Sequence, residues 1–135
     1  MGDNYYKLKI QNIDQLTMDG KLSAYALRIF CWIGNQVTDG NKANIDTRDI
    51  VTHFKLDKSV ISKALKELEE GLLIKIEHSA GSDRVIAVSP TYFFKGEYSL
   101  QPGLIKRWYA DIRKKHWGSV IKQTEEFLNV EPSAQ

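Results

Sequence analysis

Lys55, Leu56 and Asp57 are all that separates two stretches of helical hydrophobic periodicity. Before them, Ile50, Val51 and Phe54 form the apolar stripe of a short helix; after them, Ile61, Leu65, Leu68 and Leu72 recur at the spacing that buries one helix face. So short a connection makes the two helices packing neighbours. Leu56 is placed to plug the gap between them, and Asp57 to cap the second. Thr47 is the expected cap of the first, with Asp49 favourable near its positive start. Gly71 fits a left-handed position at the end of the second.

The flanking sequence extends this pair into a fold. Two alternating runs follow, LIKIE and RVIAVS, separated by HSAGSD, which predicts a hairpin with a long, glycine-containing tip. Upstream, YYKLKI (5–10) alternates with Tyr6, Leu8 and Ile10 on one side and predicts a half-buried strand. Asp19-Gly20 breaks the chain, and Ser23 caps a helix running to about Val37. Leu27, Phe30, Cys31 and Gly34 on one face, with Leu22, Ala26, Ile29 and Ile33 beside them, make it the central helix. TDGNKAN (38–44) is turn chemistry. Three helices cannot close a core of this shape alone, and a hairpin folding back over them can. The expected fold is therefore α+β, a winged helix-turn-helix with an additional C-terminal helix. Residues 1–102 form the winged helix-turn-helix on this reading, 103–128 the C-terminal helix and 129–135 a flexible tail.

Composition removes several function classes. A chain of 135 residues can bury a working core as one domain without cross-links. Its single cysteine, Cys31, excludes an intrachain disulfide or a multi-cysteine zinc site, and its apolar neighbours read it as core. His53, His78 and His116 fall in unrelated elements, and neither a phosphate-cradling glycine loop nor a nucleophile motif is present. The expectation is a protein without enzymatic activity, metal or cofactor. With neither a signal-like run nor a stretch of membrane-spanning length, the expected location is the cytoplasm, away from any membrane.

The net charge of +2 conceals a polarised chain. Residues 55–66 carry Lys55, Lys58, Lys63 and Lys66 against Asp57, and residues 103–122 carry six cations against Asp111. In the helix after the short connection, Ser59, Ser62, Lys63 and Lys66 stand opposite the apolar stripe. Helix stability favours acids in the first turn and cations in the last. Here Lys58, Lys63 and Lys66 come early, while Glu67, Glu69 and Glu70 come late. The pairs Lys63–Glu67 and Lys66–Glu70 also run in the less favourable i,i+4 direction. Cations first and acids last suits a helix whose N-terminal part meets base edges and phosphates while its C-terminal end leaves the groove.

That polar face reads as a DNA face. Ser59, Ser62, Lys63 and Lys66 are the expected contacts to bases or phosphates, with Lys58, Thr47 and Arg48 on backbone phosphates. His78 and Arg84 flank the hairpin tip and can reach an adjacent minor groove or phosphate. In the C-terminal helix, Lys106, Arg107, Arg113, Lys114 and Lys115 are expected to add phosphate contacts. Trp108, Ile112, Trp117, Ile121, Phe127 and Leu128 still need burial, which predicts a homodimer with its two recognition helices about 34 Å apart, the alternative being a helix folded back on its own core in a monomer.

The stretch IDTRDIVTHFKLDKSVISKALKELEEGLLIKI, followed by VIAVSPTYFFKGE, resembles the winged-helix plasmid replication proteins of Gram-positive bacteria, the RepL type. Those proteins commonly end their wing with Asn-Pro, an aliphatic or aromatic pair and Lys-Gly; here Ser89-Pro90 leads to Phe93-Phe94-Lys95-Gly96. The similarity spans roughly residues 45–96, and the aromatic-Lys-Gly tail is its distinctive part. It implies sequence-specific binding of double-stranded DNA in plasmid or mobile-element replication or its transcriptional control, with replication proteins as further partners. Two alternatives stay open: a winged-helix protein-interaction module, and single-stranded DNA binding with Tyr92, Phe93, Phe94, Trp108, Tyr109 and Trp117 stacking on bases.

Overall fold

The computed structural model describes residues 7–20, 22–38 and 40–111, an α+β chain. Its elements are β1 (Lys9–Ile10), α1 (Ile13–Asp19), α2 (Ala24–Gly34), β2 (Lys42–Asp46), α3 (Thr47–Phe54), α4 (Lys58–Glu70), β3 (Ile74–Ala80), β4 (Asp83–Val88) and β5 (Phe93–Phe94). A 3-10 turn (Tyr98–Leu100) then leads into α5, residues 101–111. β2, β4 and β3 form an antiparallel sheet in that order, and β1 pairs separately with β5.

Ser23 caps α2 as expected, its Oγ accepting the Ala26 N–H at 3.1 Å. The helix buries Ala26, Ile29, Phe30, Ile33 and Gly34, which makes it the centre of the core. It ends at Gly34 rather than near Val37, because Asn35 and Gln36 turn their side-chain amides back onto the carbonyls of Cys31 and Trp32. Phe30 meets Phe93 and Tyr92 edge-on, and a Cβ at Gly34 would overlap the Phe93 ring. Across from α2, the stripe of α4 buries Ile61, Ala64, Leu65 and Leu68.

Three elements go beyond the sequence expectation: α1, β2 and the two-residue β5 that pairs with β1. Helix α1 follows directly on β1 and packs Ile13 and Leu16 against the core. β2 occupies part of what reads as a turn: Ala43 and Ile45 point into the core while Lys42 and Asn44 are exposed. The turn itself is confined to residues before β2 and is organised by Asn41. With φ at +61°, Asn41 is buried, and its Nδ2 donates to the carbonyls of Val88 (2.8 Å) and Phe93 (2.7 Å). Its Oδ1 accepts the Lys95 N–H at 3.0 Å, so one amide ties the end of β4 to β5.

Several local expectations are corrected. Leu8 packs on the core, but Ile10 is 51% exposed although it pairs with Phe93, and only two residues of the N-terminal run form strand. Tyr6 lies outside the described residues. The cap of α3 is Asp46, whose carboxylate accepts the Arg48 N–H at 2.9 Å; Thr47 is already helical. The hairpin tip is tight rather than long. Gly81 (φ +59°) and Ser82 alone join β3 to β4, and His78 lies within β3.

At the end of α4 the left-handed residue is Leu72 (φ +64°), while Gly71 sits at φ −80°. The Leu73 N–H reaches the Leu68 carbonyl and the Leu72 N–H the Glu69 carbonyl, both at 3.0 Å, the paired bonds of a Schellman motif. Leu72 therefore leaves the apolar stripe and is 40% exposed.

Helix α5 begins before residue 103 and packs back on the fold. Gln101 is buried, donating to Gln11 Oε1 (2.7 Å) and the Pro90 carbonyl (2.9 Å) and accepting from Lys9 Nζ (3.0 Å). Trp108, expected in a dimer interface, is instead buried in its own chain at 8% exposure. Its Nε1 donates to the Leu72 carbonyl at 3.1 Å, and the Lys75 ammonium lies 5.4 Å above its ring.

Candidate nucleic-acid interface

The short connection directs the site. Lys55 takes a left-handed conformation (φ +56°) and its N–H closes α3 on the Val51 carbonyl at 2.8 Å. Leu56 turns inward against the core, as expected. Asp57 has the extended backbone of a cap, although its side chain accepts no cap hydrogen bond. The Thr47 N–H (2.8 Å) and Oγ1 (3.1 Å) both donate to the carbonyl of Ser82. The start of α3 is thereby fastened to the hairpin tip.

The result is one cleft. Thr47 and Arg48 of α3, Lys58 and Ser62 of α4, and Gly81, Ser82 and Arg84 of the hairpin line it together. Ser59, Lys63 and Lys66 are exposed along α4 outside the cleft lining. Among the described residues, Lys58, Lys63 and Lys66 enter no ion pair. Sequence reasoning missed the contribution of Gly81 and the Ser82 carbonyl, for which the only signal was the Gly-Ser-Asp tip.

The arginines differ from those lysines. Arg48 Nε lies 3.1 Å from both oxygens of Asp46 and its Nη2 2.7 Å from Oδ2. The guanidinium holds the Asp46 carboxyl well below the usual carboxylate range, and the carboxylate raises Arg48 in turn. Arg84 folds back on the turn, Nη1 donating to the carbonyls of Gly81 (2.7 Å) and Asp83 (2.9 Å). Asp46 was not among the expected site residues; its place two residues before Arg48 was the available clue.

Other expected contacts lie elsewhere. His78 lines a second cleft with Asp46, Asp49, Asp83 and Arg84, separate from Lys58 and Ser62. Arg107 lines a third, at the base of the hairpin beside Lys42, Lys75 and Trp108. Lys106 is exposed on the same helix. Trp108 bonds to Leu72, just past α4, and the 13 residues of α4 span about 20 Å. Lys106 and Arg107 thus belong to the end of α4 away from Lys58. Arg113, Lys114, Lys115, Ile112, Trp117, Ile121, Phe127 and Leu128 lie outside the described residues.

Of the aromatics considered for base stacking, Phe93 and Phe94 are each 1% exposed, so their rings are core. Cys31 is half-buried, and burial pushes its thiol up, keeping it protonated. Among the described residues, no group of three or more His, Cys, Asp or Glu side chains is arranged to hold a metal ion, and no helix is long and apolar enough to cross a membrane. No family model matches the chain, nor does any curated protein or solved structure.

Proposed function

We propose that this chain binds double-stranded DNA as a winged helix-turn-helix protein. In this reading α3 and α4 are the helix pair, α4 offers its N-terminal half to the major groove, and the β3–β4 hairpin is the wing. The observation that carries it is the cleft where Thr47, Arg48, Lys58 and Ser62 meet the hairpin tip, continued by Lys63 and Lys66, which enter no ion pair among the described residues. Hydroxyls and cations converging from three elements are the groups that position a duplex through its phosphates. The resemblance in residues 45–96 adds the process: plasmid or mobile-element replication, or its transcriptional control.

Electrophoretic shift on double- and single-stranded DNA across a salt series tests the reading. Duplex binding should be tighter and should fall steeply with salt. Equal or tighter binding to single strands, or binding to neither, ends it. The homodimer belongs to the same proposal and rests on Ile112, Trp117, Ile121, Phe127 and Leu128 without Trp108. A full-length chain that sediments as a monomer at micromolar concentration removes it.

A further inference from the structure

We propose that Asp46 restrains Arg48 in the free protein and so lowers its affinity for duplex of arbitrary sequence; this rests on the DNA-binding reading above. A carboxylate and a phosphate offer a guanidinium the same thing, two acceptor oxygens in reach of its fork. Asp46 already fills that role, with both oxygens on Arg48. Asp46 and Arg48 are two residues apart, and Arg48 lines the cleft. A phosphate arriving there must take the place of a carboxylate.

The surroundings reinforce the restraint. Asp49 and Asp83 also act electrostatically on Arg48, and Arg84 is engaged by carbonyls of the turn. Two arginines thus face three carboxylates at this corner, whereas Lys63 and Lys66 enter no ion pair among the described residues. An exposed ion pair is weak enough for phosphate to displace. The exchange nevertheless cancels most of what Arg48 would add to a generic electrostatic attraction. Discrimination between sequences then falls to α4, where base edges are within reach.

The test is Asp46→Asn, measured on a mixed-sequence duplex of about two helical turns at about 0.1 M salt. Asparagine caps a helix as well as aspartate, so the melting temperature should stay within about 3 °C of the parent. Affinity should rise about 3- to 10-fold, and the salt dependence should steepen by about one counterion. Asp49→Asn, which breaks no hydrogen bond to Arg48, should change affinity less. Arg48→Ala alone should weaken binding by less than about threefold, and in the Asp46→Asn background it should abolish the gain. Equal or weaker binding by a normally melting Asp46→Asn protein overturns the inference while the DNA reading stands. So does a loss beyond about tenfold from Arg48→Ala alone. Binding by neither parent nor variant overturns the DNA reading and this inference together.

Discussion

The two ends of α4 use their charged side chains in different ways. From the N-terminus to the third turn, Lys58, Ser59, Ser62, Lys63 and Lys66 are exposed, and the lysines enter no ion pair among the described residues. At the C-terminal end two of the three acids, Glu67 and Glu69, are committed. Glu67 accepts the N–H (2.6 Å) and hydroxyl (3.1 Å) of Ser23, joining α4 to the start of α2, and Glu69 accepts the Ile76 N–H of β3 at 3.0 Å. Leu72, just beyond, receives Trp108. Late acids in the sequence could be taken only as acids turned away from a groove. Those two hold the fold together, and Glu67 is thereby withheld from Lys63, its i,i+4 neighbour. One end of the helix is anchored by necessity, and the other is spare.

Four variants test that division, and the largest effect belongs to the anchored end. Trp108→Ala removes a buried ring and leaves the Leu72 carbonyl without its donor, so it should cost about 3 kcal/mol in denaturant unfolding. A cost near zero would mean that α5 is not part of the anchor. At the spare end, changing Lys63 and Lys66 together to alanine should weaken duplex binding about tenfold and reduce the salt slope by about two counterions. The unfolding midpoint should not move, and a drop in stability would blur the division. Glu67→Ala should cost about 1 kcal/mol, the usual loss of a cap-like bond, with duplex affinity unchanged in the folded protein. Parallel loss of affinity would show that the acid serves both ends. Smallest of all, Leu72→Gly relieves a left-handed leucine and should stabilise by about 0.5 kcal/mol, read from the shift in melting temperature.

The parts of this arrangement that were legible in the sequence are those with a repeat. The stripe Ile61, Leu65, Leu68 recurs at helical spacing over enough turns to define both the buried face of α4 and the exposed one. Leu56, a lone apolar residue in a three-residue connection, could only point inward. β2 was hidden because Ala43 and Ile45 are its only apolar residues and lie among Asn, Lys and Asp, which signal turns. Gly71 drew the left-handed assignment that belongs to Leu72, since glycine adopts that conformation most cheaply. Trp108 looked orphaned because its partner is a backbone carbonyl 36 residues away, and side-chain patterns carry no trace of such acceptors. The Asp46–Arg48 fork was missed for a related reason: charges at i and i+2 point apart within a helix, and these meet because the helix starts between them.

The tether from Thr47 to Ser82 has a mechanical consequence. Two donors of one residue converge on a single carbonyl at the hairpin tip, 35 positions along the chain. β2 pairs with β4 from Lys42 opposite Ala87 to Asp46 opposite Asp83, so one edge of the hairpin is already supported along its length. The Thr47 bonds extend that support to the turn itself, and bending of the tip is suppressed. The span between the tip and α4 is then a fixed gauge, so any partner gripping both must conform to it. Slow exchange of the Thr47 amide proton, at rates matching the core, is the signature of that stiffness.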